Sequence, residues 1–188
     1  MTDKMPRGPH VGLDHLLNPL RSAHHAPEPL FIGPDGAAIT DQPLPGGVML
    51  RVAPEARITG HWASPRGRLL ELKTTVQTPG PWLGLHLPLT QADFVDTTWL
   101  CLALRSSAAG ALSLRVSLRS GLEGGGFRDD FFPRAILAQP READHVDMLG
   151  MARLPGLPWR APWRELVLFL PPATDGHLAL HELRLVTL

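Results

Sequence analysis

The sequence predicts an all-β domain, a sandwich of two antiparallel sheets behind a short amino-terminal arm, and three observations carry that reading. Residues 112–119, Leu-Ser-Leu-Arg-Val-Ser-Leu-Arg, alternate apolar and polar without a fault. Period two is the mark of a strand with one face in a core and the other in water. Twenty prolines and 18 glycines fall mainly between apolar runs, which is how short strands and tight turns are punctuated. After residue 30 no run has the periodicity of a long amphipathic helix.

The elements follow in order. Residues 1–29 form the arm. There Leu13, Leu16, Leu17 and Leu20 have helical spacing, and Asp14 favours a helix start. Pro19 limits that helix to about two turns. So short a helix is unstable alone, so it docks on its own domain or on a neighbouring subunit. The sandwich is expected over residues 30–188. Residues 30–32 and 37–39 flank Gly33-Pro34-Asp35-Gly36 as a hairpin. Residues 48–52 and 56–62 are two further strands. Residues 68–76 put Leu70, Leu72, Thr74 and Val76 on one face. Residues 82–89 turn Leu83, Leu85, Leu87 and Leu89 inward, with Trp82 and His86 opposite.

Residues 99–105 and 166–170 are apolar on both faces, as suits central strands covered on both sides. The strand at 112–119 runs into Gly124-Gly125-Gly126 and returns through 127–132 and 134–138. Residues 139–164 read as loop, with a short strand at 145–149. In the last segment Leu178 and Leu180 share one phase and Leu183 and Leu185 the other. A one-residue shift of phase is a β-bulge, placed near His181-Glu182. About ten short strands between turn signals suggest a sandwich or a barrel.

Composition narrows the function classes. The 18 basic and 18 acidic side chains balance, at a sequence pI near 7.1. Nucleic-acid binding needs an excess of cations to displace counterions from phosphates, so no nucleic-acid partner is expected. The single cysteine, Cys101, excludes an internal disulfide and any Cys-based zinc site; it lies in an apolar run, as a buried inert thiol does. No window approaches the length of a membrane span, so membrane insertion is not expected. Residues 1–12 have no apolar stretch of signal-peptide type. Synthesis in the cytoplasm is the expectation. Display on a released particle would leave no mark in the sequence.

Two stretches near the carboxyl terminus resemble a known class. Residues 163–170, Trp-Arg-Glu-Leu-Val-Leu-Phe-Leu, are followed by a Pro-rich turn and then by residues 177–185, His-Leu-Ala-Leu-His-Glu-Leu-Arg-Leu. They resemble the last two strands of galactose-binding-like jelly rolls, a class that includes carbohydrate-binding modules. Residues 99–138 are compatible with the central strands and long hairpin of such folds, and the resemblance spans roughly residues 48–188. It implies a non-catalytic module that binds glycan, protein or another ligand by end loops or by an exposed sheet face, in many members with a structural calcium. The chain has no tyrosine, although Tyr is a usual sugar-stacking residue. A jelly roll with a docking arm also resembles surface proteins of phage-like particles, including head spikes.

Sugar recognition needs an apolar ring face and a few planar polar groups. Trp82, Trp159 and Trp163 are the candidate platforms, the last two in a proline-stiffened loop that loses little entropy on binding; the competing role is to cap the core. His86 shares the outward phase of Trp82. Arg115 and Arg119 share the polar face of their strand. With Arg128 they can hold an acidic sugar or a phosphate by charge-assisted hydrogen bonds, or form an ordinary solvated face. Glu123, Asp129 and Asp130 flank the triple glycine as calcium candidates, against a plain role in solvating the turn. His24-His25 and the pair His177 and His181 are poor metal sites. Four residues along a strand is roughly 13 Å, too far for one ion unless the bulge intervenes.

Catalytic signatures are absent from the sequence: no Gly-x-Ser-x-Gly elbow, no His-Glu-x-x-His, no phosphate-cradling glycine loop before a helix. Glu71 and Asp144 are scattered carboxylates of the type a glycosidase pairs. The leading expectation is a non-enzymatic module without cofactor that recognises cell-surface or polysaccharide glycan, as part of a larger assembly. One alternative is an assembly protein whose arm docks on a protein partner, as a homo- or hetero-oligomer; a second is a polysaccharide-active enzyme on a jelly-roll scaffold.

Overall fold

A computed structural model describes residues 28–31, 44–90 and 93–188. Among these the chain is a jelly-roll sandwich of two antiparallel sheets. The strands, in chain order, are β1 (Glu28–Phe31), β2 (Met49–Val52), β3 (Arg57–Ala63), β4 (Leu70–Thr78), β5 (Leu83–Leu89), β6 (Trp99–Ala108), β7 (Leu112–Gly121), β8 (Phe127–Phe131), β9 (Ile136–Ala138), β10 (Ala143–Gly150), β11 (Arg164–Leu170) and β12 (Gly176–Thr187). The back sheet has the order β1-β3-β4-β12-β6-β10; the front sheet has β2-β5-β11-β7-β8, with β9 also paired to β7.

The two inner faces close on one leucine-rich core. Leu83, Leu85, Leu87, Leu114, Val116, Leu118, Leu166 and Leu168 meet Leu70, Leu72, Leu102, Leu104, Leu180 and Leu185, all buried. The alternation at 112–119 is the cause: Leu112, Leu114, Val116 and Leu118 go in, while Ser113 and Arg115 stay exposed. Burying a leucine contributes about 1.5–3 kcal/mol, and a register slip of one residue would put every such side chain in water.

The back sheet carries the expected bulge. β12 pairs with β4 through Leu180, and its register against β6 shifts between Leu180 and Glu182. His181 is the extra residue, and it turns Leu183 and Leu185 back into the core phase. β6 and β11 lie inside their sheets, paired on both sides.

Four segments differ from the sequence expectation or fall beside it. β10 is a full strand rather than a short piece in a loop; its outward Val146 and Met148 are apolar and exposed while its inward Asp147 is buried, which hides the alternation. Asp147 accepts backbone N–H bonds from Arg134 and Met148 at 2.9 Å each, so its burial is satisfied. β1 pairs along β3, Glu28 opposite Trp62, and so begins inside the segment assigned to the arm. Residues 37–39, the other half of the expected hairpin, and the expected arm helix lie outside the described residues.

Candidate functional site

The outer face of the front sheet gathers more chemistry than any other surface. The strand registers set it out in rows. Arg51, Gly84, Phe169 and Arg115 form one row across β2, β5, β11 and β7. Met49, His86, Val167, Ser117 and Phe131 form the next, reaching β8. Pro88, Glu165, Arg119 and Asp129 form the third. At the far end the Gly121 N–H donates to the Trp163 carbonyl at 3.0 Å, and Phe127 lies opposite Gly121.

Aromatic rings dominate this face, and they are exposed: Phe127 at 52%, Trp163 at 41% and Phe131 at 36%. Trp163 is seated on Gly121. A methyl group built there would meet its indole Nε1 at 2.5 Å and Cε2 at 2.6 Å, so glycine is what lets the ring lie flat against the strand. Phe131 and Phe169 pack with centroids 5.6 Å apart at 38°.

Two arginines are threaded among the rings. Arg119 donates to Asp129 through Nε at 2.9 Å and Nη2 at 2.7 Å, and its guanidinium lies 3.9 Å from the Phe127 centroid and 5.9 Å from that of Phe169. The Ser117 hydroxyl donates to the same Asp129 carboxylate at 3.0 Å. Such a bidentate, ring-stacked guanidinium is rigid. The Arg115 guanidinium lies 4.2 Å from the Phe131 centroid. It is exposed and has no acidic partner among the described residues.

A buried pair stiffens the other side of the face. His86 points outward yet is fully buried, and its Nδ1 lies 2.7 Å from the Glu165 carboxylate. Its Nε2 has no hydrogen-bond partner among the described residues. Burial raises the Glu165 carboxyl, but the bond with His86 and the charges of Arg51 and Arg119 outweigh it and hold the group below its ordinary value.

The loop that delivers Trp163 is held from beneath by Arg164. This side chain is buried and donates to the Ser120 hydroxyl and the Pro158 carbonyl, and to the Trp159 carbonyl at 3.2 Å. It stacks 4.4 Å from the Phe94 centroid. Burial pushes its guanidinium down to about 10, against the opposing charges of Asp130 and Asp93.

The remaining sequence candidates scatter. Arg128 and Asp130 take the inward phase of β8, paired at 2.8 and 2.5 Å, and Arg128 also donates to the Pro155 carbonyl. Arg128 therefore stands apart from Arg115 and Arg119. Asp129 and Asp130 face opposite sides of β8, each held by its own arginine, so they do not converge with Glu123; no group of three metal-type ligands occurs among the described residues. Trp82 is half-buried against the core edge, and Trp159 is exposed in the loop before β11. Phe127, Phe131 and Phe169 were not singled out from the sequence. The signal was there: Phe127, Asp129 and Phe131 share one phase of a strand antiparallel to the Arg119 strand.

The back sheet has a smaller polar cluster. His61, Lys73 and His177 stand in register across β3, β4 and β12, at a cleft of about 240 Å3 also lined by Trp62, Ala63 and Glu71. His177 Nε2 lies 2.7 Å from Glu71, and Arg68 bonds the same carboxylate at 2.9 Å. Glu71 and Asp144 sit on β4 and β10, with β12 and β6 between them. Asp144 is bonded to Arg105. His181 is bonded to the Ser107 hydroxyl rather than to His177.

No protein-family model matches the chain, and no curated protein matches its sequence. Solved structures do. A carbohydrate-binding module of family 4 shares 8% identity at a TM-score of 0.55, over 91% of this chain and 98% of that one. The family 11 module from Clostridium thermocellum, solved with a β-1,3-1,4-mixed-linked tetrasaccharide, shares 14% identity at a TM-score of 0.51, over 84% and 95%. The tandem family 22 domains of Paenibacillus barcinonensis Xyn10C share 14% at 0.53, over 89% of this chain and 47% of theirs. The fold is that of carbohydrate-binding modules.

Proposed function

We propose that this chain is a non-catalytic glycan-binding module whose ligand lies across the outer face of the front sheet. The observation that carries the reading is the set of exposed rings on that face, Phe127, Phe131 and Trp163. Exposed aromatics in a contiguous patch mark an interaction surface, and ring faces cover the C–H face of a pyranose. Ser117, Arg119 and Asp129 between them are already bonded to one another, so this part of the platform is pre-organised and loses little entropy on binding. The solved family 11 module with its tetrasaccharide shows that a sandwich of this type can carry a saccharide.

The same bonds argue against hydrolysis. A glycosidase needs one carboxyl held protonated as general acid. Glu165, the carboxylate beside Arg119, is held below its ordinary value, and Asp129 is clamped bidentately. Glycan capture by such a module suits a component of a larger surface assembly or released particle.

The test is a glycan array probed with the multivalent protein, beside the Phe127→Ala/Phe131→Ala double variant. Wild-type signal lost in the folded double variant supports the reading; a silent array, or binding indifferent to both rings, overturns it. An assembly protein without glycan binding is the second reading, favoured by exposed Val146 and Met148 on the back sheet. It predicts that Val146→Glu/Met148→Glu blocks association in sedimentation.

A further inference from the structure

We infer that the saccharide taken by this face is acidic, and that Arg115 is the residue that holds its carboxylate. This rests on the glycan reading above and narrows it. Arg115, Arg119 and Arg128 carry the cationic charge of β7 and β8 near the face, and the structure separates them. Arg128 faces inward and is bound to Asp130. Arg119 faces outward, but its fork is filled by Asp129. Arg115 alone of the three has no carboxylate among the described residues, and it is exposed.

Its surroundings make it a receptor rather than an ordinary surface cation. The guanidinium is stacked at 4.2 Å on Phe131, which fixes its plane. Phe169 is its cross-strand partner on β11, and exposed Leu137 faces Ser113 one row away on β9. Apolar neighbours lower the local dielectric, so a charge placed there is felt more strongly than in open water. A planar fork held against a ring matches a carboxylate through two parallel hydrogen bonds. A uronic acid unit lying against the exposed part of Phe131, beside the guanidinium that covers its ring, would bring its carboxylate to this fork.

A second cation stands in the same row. Arg51 on β2 lies beyond Gly84 and Phe169 from Arg115, and its one hydrogen bond among the described residues goes to Met49 Sδ at 3.4 Å. Three strand spacings separate the two, roughly 14 Å. A chain lying across the strands therefore meets a cation at each end of the row and a ring between them. A neutral glucan offers these guanidiniums only hydroxyl and ring oxygens, weaker acceptors than a carboxylate.

The experiment measures affinity of the full chain for polygalacturonate, alginate and hyaluronate, with methyl-esterified polygalacturonate and mixed-linked β-glucan as neutral comparators and dextran sulfate as a plain polyanion. At least one uronate should bind about tenfold more tightly than its neutral comparator, the scale of hydrogen bonds to a charged group. Arg115→Gln should bring that ratio close to one, Arg115→Lys should recover only part of it, and Phe131→Ala should weaken binding as well. The fold of each variant is checked by its melting curve.

A ratio near one in the wild type, or a ratio untouched by Arg115→Gln, overturns the acidic assignment while glycan binding stands. Binding to dextran sulfate as tight as to every uronate, and indifferent to Phe131, also overturns it. No binding to any saccharide removes the glycan reading together with it.

Discussion

Gly121→Ala isolates the seat of Trp163 from every other part of the molecule. Gly121 is not among the glycines with positive φ, so alanine meets no backbone penalty there. The whole effect is steric. The added methyl would stand 2.5 Å from the indole Nε1, 2.6 Å from Cε2 and 2.9 Å from Cδ1. Ordinary contact begins near 3.4 Å, so the ring must retreat by roughly 1 Å. Overpacking costs about 1–3 kcal/mol where neighbours cannot move. Trp163 is 41% exposed and can swing outward, which puts the cost at the low end, about 1 kcal/mol. For a chain of this size that lowers the melting temperature by roughly 2–4 °C. The assay is a melting curve together with an amide and indole NMR map, the Trp163 indole resonance being assigned from Trp163→Phe. One indole resonance should move strongly, and glycan affinity should fall. Unmoved indole resonances with an unchanged melt would refute the seating of Trp163 on Gly121.

Other perturbations probe other links. Gly60→Ala places a methyl 1.9 Å from the Lys73 carbonyl oxygen; backbone cannot swing away, so a loss of at least about 3 kcal/mol is expected in denaturant unfolding, far beyond that of Gly121→Ala. Arg164→Met removes the donors that hold the Pro158 and Trp159 carbonyls. It should cost about 3 kcal/mol net of the relieved desolvation, with faster hydrogen exchange in residues 157–163. Glu165 is held below its ordinary value of 4.5. A depressed folded value means its stabilisation is complete above the unfolded value and is lost as pH falls through 4.5 and below. The acid limb of a melting-temperature profile should therefore be shallower in Glu165→Gln, and an unchanged limb would count against the His86 pair.

The strands were legible wherever polarity followed the pleat. Residues 112–119 gave β7 and its inward leucines, the phase of Leu83 to Leu89 put His86 outward, and the change of phase around His181 located the bulge. What was hidden is the inversion on β8. There the rings Phe127 and Phe131 face out while Arg128 and Asp130 face in. Charges turned inward at a sheet edge are stabilised by pairing with each other, and the rings are stabilised outside by two guanidiniums. Polarity then points the wrong way, which is why the sequence grouped Arg128 with Arg115 and Arg119 and passed over the phenylalanines. β10 hides by the same inversion, through buried Asp147 and exposed Val146. Trp82, Trp159 and Trp163 differ only in where the chain delivers them, a matter of register that composition does not hold.

The most direct test of the central claim is an NMR shift map of the labelled protein titrated with oligogalacturonate and, separately, with a mixed-linked β-glucan tetrasaccharide. A ligand on the front sheet predicts shifts clustered at Arg115, Arg119, Phe127, Phe131 and Trp163, larger for the acidic oligosaccharide. Shifts confined to the back-sheet cleft at His61, Lys73 and His177, or no shifts with either saccharide, would contradict the claim that the ring-bearing face is the binding surface.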